Sequence, residues 1–137
     1  MRSDRDRLVE LAERCLAEPA VQGRLRVIHP PTSGVVMLQV REPVCRERFY
    51  LGEVVVTRCE VAIAECRGWA MIAGEHEKAA LAAAVCDCVS RTSEPALAAL
   101  REAVDKLCDE TDERLSAEHL AEWSTLEPTR VAFEEFE

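Results

Sequence analysis

Seven cysteines, three histidines and a run of arginines are the side chains from which this chain could build a reactive centre. The cysteines, Cys15, Cys45, Cys59, Cys66, Cys86, Cys88 and Cys108, are odd in number and irregularly spaced, which suits reduced thiols better than a disulfide framework. No C-x-x-C pair occurs, so the thioredoxin-like motif and the usual zinc-knuckle spacing are both missing. Cys86 and Cys88 stand closest, but on a helix two such positions point about 200° apart and cannot grip one ion together. Small hydrophobic core thiols are the simpler reading; a stand-alone metal or redox module using Cys59, Cys66, Cys86 and Cys88 is the alternative. His29, His76 and His119 fall in three different segments with no ligand spacing, as end-of-element or surface residues do. The serines sit at caps and turns, and no G-x-S-x-G elbow is present. With five glycines and neither G-x-G-x-x-G nor G-x-x-x-x-G-K-[ST], there is no phosphate cradle of those kinds. Arg41, Arg46, Arg48, Arg58 and Arg67 remain, and guanidinium forks suit phosphate or carboxylate oxygens. They read as solvent-facing residues of a sheet, or as an anion-binding or partner-binding surface if several share one face. From residue chemistry alone the expectation is a domain with no catalytic residue, no metal site and no self-sufficient active site.

The elements that would carry these residues are legible in outline. Ser3 as cap and Leu8, Leu11, Ala12, Cys15 and Leu16 at helical spacing predict a helix over 4–17, stopped by Pro19. Leu25 to Ile28 is a short apolar stretch closed by His29-Pro30-Pro31, since paired prolines do not sit inside a central strand. Val35 to Arg41 predicts a strand that stops before Pro43, and Arg48 to Leu51 leads through Gly52-Glu53 into a strand over 54–63. There Thr57, Cys59, Val61 and Ile63 alternate with Arg58, Glu60 and Ala62, the period of a sheet with one buried face. A turn over 64–68 and a return over 69–73 complete a hairpin over 54–73. Glu77 to Val89 is Ala-rich and apolar nearly all round, which predicts a helix covered on more than one side, by the sheet and by something else. Ser93 and Pro95 start another helix with Leu97, Leu100, Val104, Leu107 and Cys108 on one face. Polar residues 109–114 suggest a break before a further helix over 115–123, capped by Ser116, and Val131, Phe133 and Phe136 suggest a short terminal strand. The fold class expected is therefore α+β: an N-terminal helix, a mainly antiparallel sheet centred on the hairpin, an Ala-rich helix packed on it, and C-terminal helices.

Length and charge bound the rest. A chain of 137 residues, 48% of them hydrophobic, predicts one domain over 1–137 with a core that needs no staples. Residues 1–101 are electrically balanced, with 14 acids and 14 bases, whereas residues 102–137 hold 12 acids against 3 bases and carry the whole net charge of -9. Such a surface repels a phosphate backbone, so nucleic acid is not an expected partner. The acidic segment reads as a solvated face or as a docking surface for a basic partner. Met1 to Arg7 carries both signs with no apolar segment after it, and the longest apolar run, Ala79 to Cys86, is too short to cross a bilayer, so no membrane association and a cytoplasmic location are expected.

The central segment resembles a family. Phe49-Tyr50-Leu51-Gly52-Glu53, Thr57-Arg58 and Val61, then Gly68 and Gly74, then the Ala-rich stretch 79–88, are similar to the F-x-x-G-E-x-x-x-T-x-x-x-V, G-x-x-x-x-x-G and Ala-rich helix pattern of PhnG, the small subunit of the bacterial carbon-phosphorus lyase system. Ser33-Gly34-Val35-Val36-Met37 resembles that family's t-G-l-v-M lead into a long strand, and Thr129-Arg130-Val131-Ala132-Phe133 its terminal T-x-V-D-F. Glu42 to Glu47 in place of a glycine-rich turn, Gly74-Glu75-His76 in place of G-R-D, Ala132 in place of Asp and the absence of an M-x-R-G ending mark a divergent branch. The resemblance implies an accessory subunit that works with larger subunits of the carbon-phosphorus lyase core complex to move a phosphonate onto the ribose C1 of ATP with loss of adenine. MgATP is then a substrate of the complex, and this chain alone binds no cofactor. Gly34, Phe49, Gly52, Glu53, Thr57, Arg58, Gly68, Gly74, Thr129, Val131 and Phe133 are implied to be structural or partner-facing positions. A helix needing cover and an acidic tail also make a homodimer possible for the isolated chain.

Overall fold

A computed structural model describes residues 4–130. Helix α1 (Asp4–Ala17) leads through a turn into three antiparallel strands, β1 (Leu25–Arg41), β2 (Arg48–Ile63) and β3 (Cys66–Ala73), ordered β1-β2-β3. Helix α2 (Glu77–Arg91) follows, then a single 3-10 turn over Pro95–Leu97 and helix α3 (Ala98–Leu126). The class is α+β, as expected; the expected terminal strand, with Val131 and Phe133, lies outside the described residues. By packing the chain divides into two units after Asp105, inside α3.

In the first unit the core is a helix between two layers. One face of the sheet presents buried Thr57, Cys59, Val61 and Ile63 to α2, matching the predicted alternation, although Ala62 is buried too. The opposite side of α2 packs against α1 through residues that include buried Leu11, Ala12 and Cys15. The second cover that an all-round apolar helix demands is therefore α1. Small side chains let α2 come close: Ala80, Ala84, Val85, Cys88 and Val89 are all fully buried.

Gly68 is where the sheet and α2 approach most tightly. A Cβ there would overlap the Ala84 carbonyl oxygen and the Cys88 backbone nitrogen, and would lie 2.6 Å from the Cys88 Cβ. Two of these obstacles are helix backbone, which cannot rotate away.

Three expectations are corrected. Pro30 and Pro31 do not close the first strand; β1 runs through them. It can do so because β1 is an edge strand, and because register slips at Val27/His29 and His29/Thr32 accommodate an extra residue each. The strand expected over 35–41 is thus the far half of a 17-residue one. Residues 109–114 do not break the C-terminal helix, and Ser116 is interior to α3 rather than a cap. Their polarity is that of a solvated helix, with no glycine or proline to interrupt it, and Lys106–Glu110 and Arg114–Glu118 pairs one turn apart support it. Glu94 rather than Ser93 occupies the position before the Pro95 turn. In the second unit, Lys106 onward, α3 runs to Leu126 and ends in a 3-10 turn, Glu127–Thr129, containing Pro128. No helix among the described residues is long and apolar enough to cross a membrane.

Gly68→Ala is expected to destabilise the fold by about 3 kcal/mol, because the added methyl must push apart two backbones. Chemical denaturation of the purified variant checks this; a loss below about 0.5 kcal/mol would show that α2 can slide off the sheet without cost.

Candidate functional site

A buried arrangement of polar groups is built around Thr57. Its hydroxyl is fully buried, donates to the Gly74 carbonyl at 2.6 Å, and accepts from the His76 backbone N–H at 3.0 Å. The Ser33 hydroxyl lies 3.2 Å away and, with the Thr57 proton already committed to Gly74, is the donor of that pair. One hydroxyl thus ties the central strand to the edge strand, to the turn after β3 and to the start of α2. Gly74 sits at φ +90°, where a side chain is strained, and a Cβ there would press on the His76 ring at 2.9 Å. Thr57, Gly74 and the residue beside Gly34 belong to separate motifs along the chain; the fold brings them to one point. This node positions backbone; it offers no nucleophile, because the hydroxyl has spent its proton and both acceptor sites.

The remaining motif positions lie elsewhere. Gly68 is the close approach described above. Phe49, Gly52 and Glu53 lie on β2 beyond the end of β3, in a two-stranded stretch with β1 that also contains Gly34 at its base. A Cβ on Gly34 or Gly52 would meet nothing within 4 Å among the described residues. Thr129 is exposed, and its hydroxyl donates to the Leu126 carbonyl at 2.6 Å.

The five arginines do not share a face. Arg58 and Arg67 are on the outer face of the sheet, both reaching the Glu60 carboxylate, at 3.4 and 3.5 Å. Arg41 and Arg48 are directly opposite one another near the end of the β1–β2 pair, on the face that α2 covers further down. Arg46 lies in the turn at φ +59°. The turn is held by Glu42, whose carboxylate accepts the backbone N–H of Val44 at 2.8 Å and that of Cys45. Those bonds hold its carboxyl below the ordinary range.

The cysteines separate as helical geometry requires. Cys86 faces α1, where its thiol hydrogen-bonds Cys15 and holds that thiol's pKa below its usual value. Cys88 faces β3: its Sγ donates to the Cys66 carbonyl at 3.1 Å, and Cys66 Sγ donates to the Cys88 carbonyl at 3.3 Å. Burial pushes the Cys59 thiol up and the Cys88 thiol up to about 12. Among the described residues no three His, Cys, Asp or Glu side chains are grouped to hold a metal ion. His29, His76 and His119 lie on β1, before α2 and on α3 respectively. An open depression of about 370 Å³ between α1 and α2 is lined by Asp6, Val9, Glu10, Glu13 and Lys78, with Lys78 paired to Glu13 at 3.2 Å. One functional contact escaped sequence reasoning: Asp87 accepts the Trp69 backbone N–H at 2.9 Å and pairs with Arg91 at 3.0 Å, tying the free edge of β3 to α2. The signal for it was a lone acid in an Ala-rich stretch, one turn before an arginine.

Two outcomes follow. Thr57→Val keeps the shape but strands the His76 N–H and the Gly74 carbonyl, and should cost about 1–3 kcal/mol in a denaturant titration. At pH 8 iodoacetamide should modify exposed Cys45 and Cys108 in the folded protein, whereas Cys15, Cys59 and Cys88 should react only after denaturation. For Cys59 and Cys88 the sign is clear: a raised pKa leaves the thiol protonated at pH 8 and unreactive. Cys15 is shielded by burial instead. Peptide mass spectrometry reads the pattern.

No curated protein matches the chain. A family model described as phosphonate metabolism protein PhnG matches residues 1–136, which include the Thr57 node, the Gly68 contact and the β1–β2 stretch. The chain belongs to the PhnG family of phosphonate metabolism proteins.

Proposed function

We propose that this chain is an accessory subunit of a carbon-phosphorus lyase assembly in the cytoplasm. With larger companion subunits it serves the transfer of a phosphonate to the ribose C1 of ATP. In that reaction the bond from C1 to the adenine nitrogen breaks, a phosphonate oxygen bonds to C1, and adenine departs carrying a proton. MgATP and the phosphonate are substrates of the complex. No residue of this chain is assigned a catalytic role; its task is to shape and hold an active site that a neighbour owns.

The observation that carries this reading, beside family membership, is where the apolar surface lies. Val35, Met37, Phe49, Tyr50 and Leu51 are exposed on the part of the β1–β2 pair that runs beyond β3. Contiguous exposed apolar surface on a small protein marks an interaction site. The polar groups that the fold does gather, around Thr57, are spent on holding backbone.

Co-expression with the larger subunits and capture through a tag on this chain tests the proposal. Stoichiometric co-purification is expected, along with adenine release from MgATP and methylphosphonate that stops when this chain is omitted. Recovery of the chain alone, with adenine release undiminished in its absence, would remove the proposal.

A further inference from the structure

The strand pair that leaves the three-stranded sheet carries exposed apolar side chains on both of its faces. β3 pairs with β2 only from Val56 to Ile63, whereas β1 and β2 stay paired out to Arg41 opposite Arg48. Residues 35–55 therefore form a two-stranded arm, with Gly34 opposite Val56 at its base. On the face continuous with the α2-covered side stand Val35, Met37, Tyr50 and Val55, with Met37 59% and Tyr50 60% exposed. On the other stand Val36, Leu38 and Phe49, the last two 41% and 43% exposed. A slip at Leu38/Gln39 adds one residue to β2 near Leu51. An isolated two-stranded ribbon is marginal in water, and although Gln39 and Glu53 share the first face, both faces still turn large apolar side chains to solvent.

We infer that this arm inserts between two apolar walls of a larger protein partner, in a cleft whose floor carries carboxylates that receive Arg41 and Arg48. The inference rests on the subunit reading above and names the docking element and the partner's chemistry. A second copy laid across one face would leave the other uncovered, and strand-edge pairing would cover neither; only a two-walled cleft buries both. The charge of the floor follows from the tip. Arg41 and Arg48 are directly cross-strand, an arrangement that repels. Neither makes an ion pair or side-chain hydrogen bond among the described residues, and the nearby Glu42 carboxylate is engaged by the turn's own N–H groups. Two guanidinium groups held together without an acid call for one from outside. Gly34 and Gly52 add a second sign. Glycine inside a strand weakens it and marks close approach of another group, yet among the described residues nothing comes within 4 Å of a Cβ at either position.

The test is co-purification of the full chain with the companion subunits, alongside thermal unfolding of each isolated variant. Tyr50→Asp and Phe49→Asp, one on each face, should each lower recovery of the complex at least about tenfold without lowering the unfolding midpoint. Arg41→Glu should weaken association about tenfold while leaving the midpoint unchanged or raised, since the new carboxylate faces Arg48. Gly34→Val should likewise fold normally and fail to assemble. If the wild type assembles but both aspartate variants assemble equally well, the arm is not the docking element and the subunit reading stands alone. If only one face matters, or if sedimentation shows a dimer of the isolated chain lost in both variants while the complex persists, the two-walled cleft is overturned. If the wild type itself fails to co-purify, the subunit reading falls and takes this inference with it.

Discussion

The architecture of the first unit depends on one close contact, that between Gly68 on β3 and the backbone of α2. A helix normally stands off a sheet by the thickness of two side chains; here a glycine on one side and Ala84 and Cys88 on the other remove most of that thickness. The gain is tight dispersion contact over the fully buried Val61, Val85 and Val89. The cost is intolerance, because the surfaces in contact are main chain. Once α2 is set at this distance its far side, small and apolar as well, must be covered, and α1 covers it with Leu11, Ala12 and Cys15. The cysteines fit this scheme as small polarizable fillers: Cys86 serves the α1 side of the helix and Cys88 the sheet side.

Thr57 locks the same arrangement from the other end. Its hydroxyl satisfies the first turn of α2 and the strained Gly74 turn at once, so the helix cannot tilt about Gly68 without breaking buried hydrogen bonds. Asp87 performs the corresponding service at the outer edge of β3, reaching across to the Trp69 N–H. Two anchors and one close contact fix a helix on a sheet that has three strands among the described residues, which explains how so small a unit manages a defined core.

The same geometry decides what is left uncovered. β2 has 16 residues and β3 has 8, so α2, seated on the three-stranded part, cannot shield the far half of the longer hairpin. Its apolar side chains are then supernumerary for the chain's own core. On the subunit reading proposed above, this is what being a subunit means physically: part of the hydrophobic sequence is addressed to another molecule.

How much of this was legible in advance differs by the range of the interaction responsible. Helix α1, the alternation in β2, the hairpin over 54–73 and the need of the Ala-rich helix for two covers all rest on neighbours a few residues apart, and each was readable from period and composition. The passage of β1 through Pro30 and Pro31 was not, since a proline's tolerance depends on edge position, and strand order is a property of the sheet. Continuity of α3 through 109–114 is not legible from polarity, because a solvated helix and a loop are both polar and only backbone-disrupting residues interrupt the helix. The Thr57 node was invisible because its partners lie 17, 19 and 24 residues away. Local chemistry in the chain thus determined which segments are helix or strand, which faces are apolar, and which family pattern they follow. Only the folded chain decided that Gly68 must be glycine, that the arginines divide between two faces, and that Val35, Met37, Phe49 and Tyr50 are exposed, because each depends on where distant backbones come to rest against one another.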